Sequence, residues 1–288
     1  MNKVIVMLYQ EFIPAPPVSD FVECIWAYES PNEAEQPVHR WLPNGVFDLV
    51  FNLGSVYERI NVLKPELRQQ VVTSAVIGQM KESVKIVLGE KRKVLGIRFK
   101  PYGLYAFLGM PIGELTEKSF SLEDLLGIAG QNWYEKIVET NSQEAQLHIL
   151  EQFLRIRFSK NTAPDPIILD AVNRIRRAKG LYRIAELSKQ YSITQRTLEN
   201  RFNREVGLSP KELARIWRFN HFLLLSIQKS HLNCTELAYA CDFTDQSHLI
   251  RDFKSITALS PYRFLREYSD LVSINQQTMY KRFEGAYY

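Results

Sequence analysis

From Ile167 almost to Tyr268, apolar residues recur three and four positions apart, the spacing that lines one face of a helix. In "YRIAELSKQY" (Tyr182 to Tyr191), Ile184, Ala185, Leu187 and Tyr191 fall on one such face, and "SIT" then breaks the pattern. Thr194 is a good N-cap for the run that follows, in which Leu198, Phe202 and Val206 stand four apart until Gly207 ends it. A second run has the same plan. "CTELAYACDF" turns Leu237, Ala238, Cys241 and Phe243 inward, "TDQ" interrupts, and Leu249, Phe253 and Ile256 form the next stripe. Between the two lies one long helical pattern from Pro210 to Gln228, with proline at a tolerated helix start.

The two runs are copies. "LENRFNREVGLSPKELAR" from Leu198 and "LIRDFKSITALSPYRFLR" from Leu249 share Leu, Phe, Leu-Ser-Pro and Arg at one offset of 51 residues, while the polar residues between these fixed points differ. Each copy predicts a short helix, a tight turn and a second helix. The outer face of the second helix carries Gln195, Arg196, Glu199, Asn200, Asn203 and Arg204 in the first copy. In the second it carries Gln246, Ser247, Ile250, Arg251 and Lys254. A helix-turn-helix lays its second helix in the major groove, where Arg, Gln, Asn and Ser reach base edges and Lys and Arg neutralise phosphates. Two linked copies can read groove segments about 34 Å apart, so a shared apolar skeleton makes one fold twice and divergent outer residues read different bases.

Before Ile167 the pattern changes. "VFDLVFNLG" (Val46 to Gly54), "ESVKIVLG" (Glu82 to Gly89) and "KVLGIRFKPYG" (Lys93 to Gly103) cluster β-branched and aromatic residues between turn residues, which predicts strands of a compact antiparallel sandwich or barrel. After "SFSLEDLLG", helical spacing from about Trp133 to Phe158 predicts one or two closing helices. "SKNTAPDP" (Ser159 to Pro166), with its two prolines, is the joint. The expected fold class is thus α+β with two domains. Residues 1–160 form an antiparallel β sensor or dimerisation domain, 161–168 a linker, 169–270 an all-α domain with two helix-turn-helix units on a long helix, and 271–288 a tail.

Charge sharpens this division. Residues 171–288 hold 19 Lys and Arg against 11 Asp and Glu, whereas residues 1–170 hold 17 against 21, so the basic half is the one suited to a polyanion. The opening "MNKVIVMLYQEF" has no signal-peptide pattern, and "FLLLSI" (Phe222 to Ile227) falls far short of the ~20 residues needed to cross a bilayer. A cytoplasmic protein is expected. Cys24, Cys234 and Cys241 have no metal-like or paired spacing, and the five histidines are scattered, so no metal, cofactor or catalysis is expected.

Residues 170–268 resemble the DNA-binding domain of the AraC/XylS family of bacterial transcription regulators. The resemblance rests on Leu187, Leu198, Phe202, Gly207, Ser209 and Pro210 in the first unit. In the second it rests on Glu236-Leu237-Ala238, Phe243, Asp245-Gln246-Ser247, Phe253-Lys254, Leu259-Ser260-Pro261 and Arg263, with one extra residue in the second turn. It implies base reading by Arg196, Glu199 and Asn200 and by Gln246, Ser247 and Arg251, within a DNA-facing set that also includes Gln195, Thr197, Arg204, His248 and Lys254. Three positions depart from the family pattern, where glycine gives way to Ser192, Asp242 and Ala258. Glu199, Asp242, Asp245 and Asp252 bring negative charge near the DNA face, although Asp245 and Asp252 suit capping or internal pairing as well.

The segments "PAPPVSDFVECIWAYES", "HRWLPNGVFDLVFNLG", "VIGQMK" and "GIRFKPYGLYAFLGMPIGELTEKSFSLEDLLG" resemble a β-rich domain of uncharacterised type found before this DNA-binding domain. That resemblance implies a cupin-like sensor. Trp26, His39, Trp41, Asp48, Arg98 and Tyr102 are its candidate ligand residues, although core packing is the commoner role for such side chains. The expected partner is double-stranded DNA, with room for a small-molecule effector, a homodimer and contact with RNA polymerase. The competing expectation is a ligand-binding or adaptor protein whose helical domain no longer reads DNA.

Overall fold

The computed structural model describes residues 8–30, 38–87, 89–160, 163–229, 233–268 and 281–283. The strands are β1 (Leu8–Phe12), β2 (Val22–Ser30), β3 (Val38–Trp41), β4 (Asp48–Asn52), β5 (Tyr57–Asn61), β6 (Arg68–Val71), β7 (Ser74–Ile77), β8 (Val84–Val87), β9 (Arg92–Phe99) and β10 (Ser119–Phe120). They form two antiparallel sheets, one ordered β1-β2-β9-β4-β7-β10 and one ordered β3-β8-β5-β6. Helices α1 (Gly103–Leu108), α2 (Leu122–Leu126), α3 (Ile128–Glu139) and α4 (Gln143–Lys160) complete the first half.

Alternation along β4 explains the layering. Leu49 and Phe51 enter a core shared with Leu104, Phe107, Trp133, Leu150 and Leu154 of the helices. Val50 points the other way, into a core between the sheets with Trp26, Tyr57, Val84 and Ile86. A strand buried on both faces reads as an unbroken apolar run, which is why "LVF" signals it so clearly. The large sheet thus lies between the small sheet and the helices, which makes the half a sandwich rather than a closed barrel. The half also holds more strands than the three apolar runs that predict it, because short polar strands such as β6 ("RQQV") carry little apolar signal.

The second half is helical among the described residues: α5 (Pro166–Arg177), α6 (Ile184–Gln190), α7 (Gln195–Val206), α8 (Pro210–Gln228), α9 (Cys234–Ala240), α10 (Gln246–Thr257) and α11 (Pro261–Glu267). The helix expected from Pro210 to Gln228 is α8. The duplication extends to backbone detail. Thr194 and Asp245 cap α7 and α10 by accepting from the third helical N–H, Gly207 and Ala258 end those helices with positive φ, and Ser209 and Ser260 cap the helices that follow.

The stripes expected to face inward are buried at Leu198, Phe202 and Val206, at Leu249, Phe253 and Ile256, and at Leu237, Ala238, Cys241 and Phe243. Ala185 is an exception. It is exposed, with Leu187 the buried residue of α6 and Ile184 and Tyr191 half-buried, because a seven-residue helix against α7 has room for one central contact. Each unit's core also takes in a residue of the first half, Tyr102 in the first unit and Leu42 in the second. Of the expected tail, residues 271–288, only Lys281–Phe283 is described, and the remainder lies outside the described residues.

Candidate nucleic-acid interface

Burial of one stripe of α7 and of α10 leaves the opposite face to solvent. Gln195, Arg196, Glu199 and Asn200 are exposed on α7, as are Gln246, Ser247, Arg251 and Lys254 on α10. Gln195 donates from Nε2 to the Glu199 carboxylate at 2.9 Å, an i,i+4 pair that lies on this surface. Thr197 and His248 are half-buried. The Thr197 hydroxyl lies 2.8 Å from that of Thr194, and the His248 ring packs edge-on against Phe243 with centroids 5.3 Å apart. Arg204 sits at the far end of α7, with its guanidinium against the buried Glu205 carboxylate and 6.0 Å from the centre of the Tyr105 ring.

The acidic residues divide by role. Asp245 Oδ1 accepts from the His248 N–H at 2.7 Å and so caps α10. Asp252 accepts from Arg215 at 2.7 Å and from Arg218 at 3.3 Å, tying α10 to the long helix. Arg218 in turn lies over the Phe243 ring, 4.5 Å from its centre. These two carboxylates are occupied within the fold, which leaves Glu199 and Asp242 as the acidic groups of that set on the open surface.

The turn positions that lack glycine adopt its conformation. Ser192, Asp242 and Ala258 have φ of 52°, 57° and 61°, the left-handed region that costs a side-chain-bearing residue free energy.

The residues guessed for a ligand fall into two places. Trp26 donates from Nε1 to Asp48 at 3.0 Å, and Arg98 donates from Nε to the same carboxylate oxygen at 3.2 Å. Burial opposes the charge on Arg98, yet Asp48 and its other neighbours hold it firmly protonated. The Trp26 ring lies so close to Gly96 that a methyl there would come within 2.1 Å of it, and Trp41 meets Trp26 edge-on with centroids 6.5 Å apart. This group is packed solid. His39 faces Tyr28, and burial together with Arg92 lowers its pKa. Tyr102 lies apart from all of these, in the core of the first helix-turn-helix unit. A cleft of about 90 Å³ opens elsewhere, between Tyr28, Glu29, Lys93, Gln143 and Gln146, and of the guessed residues it touches none.

Buried thiols need no functional role. Burial raises the pKa of Cys24 and pushes that of Cys241 up to about 12, so both stay protonated and inert. Among the described residues no group of three or more His, Cys, Asp or Glu could hold a metal ion. No helix among them is long and apolar enough to cross a membrane.

Sequence reasoning missed the residues of the first half that grip the helical units: Arg40, Gln79, Ser83 and Thr116 all bond to the ends of α7 or α10. Gln79 lies in "VIGQMK", a segment that the sequence marks only by its resemblance to the β-rich domain. It also missed Glu23 and Arg282, which form a doubly bonded ion pair at 2.8 and 2.7 Å in the interior.

Two stretches of the chain match family models. Residues 187–267 match a helix-turn-helix domain model, and residues 10–121 match a domain of unknown function (DUF6597). No curated protein matches the chain. Among solved structures it is similar to ToxT from Vibrio cholerae, at 12% identity over 89% of this chain and 96% of that one, with a TM-score of 0.42. A ToxT structure with bound unsaturated fatty acid gives 12% identity over 92% and 97%, with a TM-score of 0.39. A likeness this distant transfers no structural detail. The helix-turn-helix match, the duplicated units and the open outer faces of α7 and α10 together give this chain a doubled helix-turn-helix domain, similar to the DNA-binding domain of AraC/XylS transcription regulators.

Proposed function

We propose that the protein reads an asymmetric two-part DNA site, with α7 and α10 in successive major-groove segments. Arg196, Glu199 and Asn200 address one part, and Gln246, Ser247 and Arg251 the other. The observation that carries this reading is that all six side chains stand exposed on helices whose opposite stripes are buried. Neither Arg196 nor Arg251 forms an ion pair among the described residues, so each is available to a guanine edge or a phosphate. Arg204 and Lys254, at the far ends of the two helices, fit phosphate contact better than base contact. His248 and Thr197 shape the helix starts.

On this reading the protein acts without catalysis in the cytoplasm, and the β-rich half is its regulatory or dimerising part. Effector binding in the 90 Å³ cleft would need that cleft to open, because it is well below the ~300 Å³ at which small-molecule sites begin.

Selection of bound sequences from random duplex DNA by the full chain tests the reading. A motif of two unlike boxes about one helical turn apart is expected. Arg196→Ala and Arg251→Ala should each weaken binding to the selected site by about 1–3 kcal/mol and relax preference in one box only. Unchanged preference in both variants would defeat the assignment, and binding without preference would favour an adaptor that no longer reads DNA.

A further inference from the structure

The ends of the two recognition helices are held by one short stretch of the β-rich half. A helix leaves its last carbonyls without internal partners, and here the first half supplies donors to both helices. Gln79 donates from Nε2 to the Val206 carbonyl at 2.8 Å. Four residues along the same β7–β8 connection, the Ser83 N–H donates to the Ile256 carbonyl at 2.8 Å. Arg40 donates to the Thr257 carbonyl and also to the Ser83 hydroxyl, at 2.9 Å, which joins the two donors of the second head. Val206 and Thr257 are the same position in the two copies, at the repeat's offset of 51. The first half therefore grips equivalent carbonyls of both heads.

The connection is itself rigid. Gln79 and Ser83 are fully buried. Lys81, between them, pairs with Glu212 of α8 at 2.6 Å. The Gln79 carbonyl accepts from the Glu117 N–H at 3.0 Å, and Gly78 lies so close to the Leu115 carbonyl that a methyl would come within 1.8 Å of it. Beside this brace, the Thr116 hydroxyl donates to the Gly207 carbonyl. None of these contacts reaches the exposed outer residues of α7 or α10.

We infer that Gln79, Arg40 and Thr116 are positioning residues for DNA reading: through the β7–β8 connection they set the distance and angle between the two recognition helices, and so the spacing of boxes that the protein accepts. The inference rests on the two-headed reading above. On DNA, one inserted base pair moves a box by about 3.4 Å and rotates it by about 34°, so a fixed frame discriminates sharply and a loosened one does not.

The test measures binding of the full-length chain to the selected site and to versions with one base pair inserted or removed between the boxes. For the wild type, affinity should fall about tenfold or more on either change. In Gln79→Ala, Arg40→Met and Thr116→Val the penalty should shrink to about threefold or less, with base preference inside each box unchanged. Thr116→Ser, which keeps the hydroxyl, should restore the sharp profile. Thr116→Val keeps the side-chain shape at a half-buried site and removes only the hydroxyl that donates to Gly207, so it keeps the test open if the other two variants fail to fold. A Thr116→Val protein that is folded and as spacing-selective as the wild type would overturn the inference while leaving the two-headed reading intact. A wild type with no two-box preference would overturn both.

Discussion

Gly207 and Ala258 occupy the same place in the two copies, and both have positive φ, 78° and 61°. Their surroundings explain the difference in residue. Gly207 is buried, and a methyl on it would lie 2.8 Å from the Thr116 hydroxyl and 3.1 Å from the Phe47 ring. Ala258 is exposed, so its methyl bears the backbone cost alone. Gly207→Ala should therefore destabilise the protein by about 1–3 kcal/mol in urea unfolding, combining left-handed strain with the clash. Ala258→Gly should stabilise it by about 0.5–1 kcal/mol. A stabilising Gly207→Ala would show that the clash and strain argued for this site are absent.

At the scale of the element, α10 shows how one residue can serve the helix and hinder the ligand. Asp245 caps the helix at 2.7 Å, yet stands exposed beside Gln246 and Ser247. Asp245→Ala should cost about 1 kcal/mol of stability. Asp245→Asn keeps a capping oxygen, so it should recover most of that loss while strengthening DNA binding at low salt by removing a negative charge from the interface. Denaturant unfolding and a salt titration of the two variants separate the effects; equal binding by Asn and Asp proteins would place residue 245 outside the reach of phosphate. Asp252 has no such freedom, since it joins Arg215 and Arg218 of α8.

The whole molecule behaves as one unit because its halves share interior residues. Tyr102 fills the first helical unit and Leu42 the second. Asn44 accepts from Trp217 at 3.1 Å, and Asn220 donates to the Pro43 carbonyl at 2.9 Å. Near them, Arg282 is buried against Glu23 and donates to the Asn44 carbonyl at 2.9 Å, while Phe283 joins the core of the first unit. Glu23→Ala would remove the carboxylate paired with a buried guanidinium and should cost about 3–5 kcal/mol, whereas Glu23→Met with Arg282→Met should recover much of it. Thermal unfolding followed separately in each half should show one transition, lowered throughout in Glu23→Ala; loss confined to one half would refute the shared interior. His221 adds a pH dependence. Burial, then Lys179 and Lys229, lower its pKa to about 4, and its ring stands edge-on to Phe283. The unfolded chain, with a histidine pKa near 6.5, binds more protons than the folded one between these values. The contribution is therefore complete above about pH 6.5 and is lost as pH falls toward 4, by on the order of 2–3 kcal/mol. His221→Gln should show a flatter stability profile over that window.

By itself, the amino-acid sequence determined what depends on near neighbours. The spacing of Leu198, Phe202 and Val206 sets a buried stripe, Thr194 and Gly207 set its ends, and a second copy 51 residues on repeats the result. The apolar run in β4 likewise follows from burial on both faces. Ala185 escaped this logic because spacing names a face and not the length of helix that a neighbour covers. Only the tertiary structure decided which side chains meet across the chain. Gln79 finds Val206 from 127 residues away and Arg40 finds Thr257 from 217, contacts between two surfaces whose shapes no local pattern encodes. Local periodicity places a carbonyl at a helix end, but which donor arrives there depends on how the two halves dock, and docking is set by the summed fit of residues such as Leu42, Tyr102 and Arg282 that lie far apart in the chain.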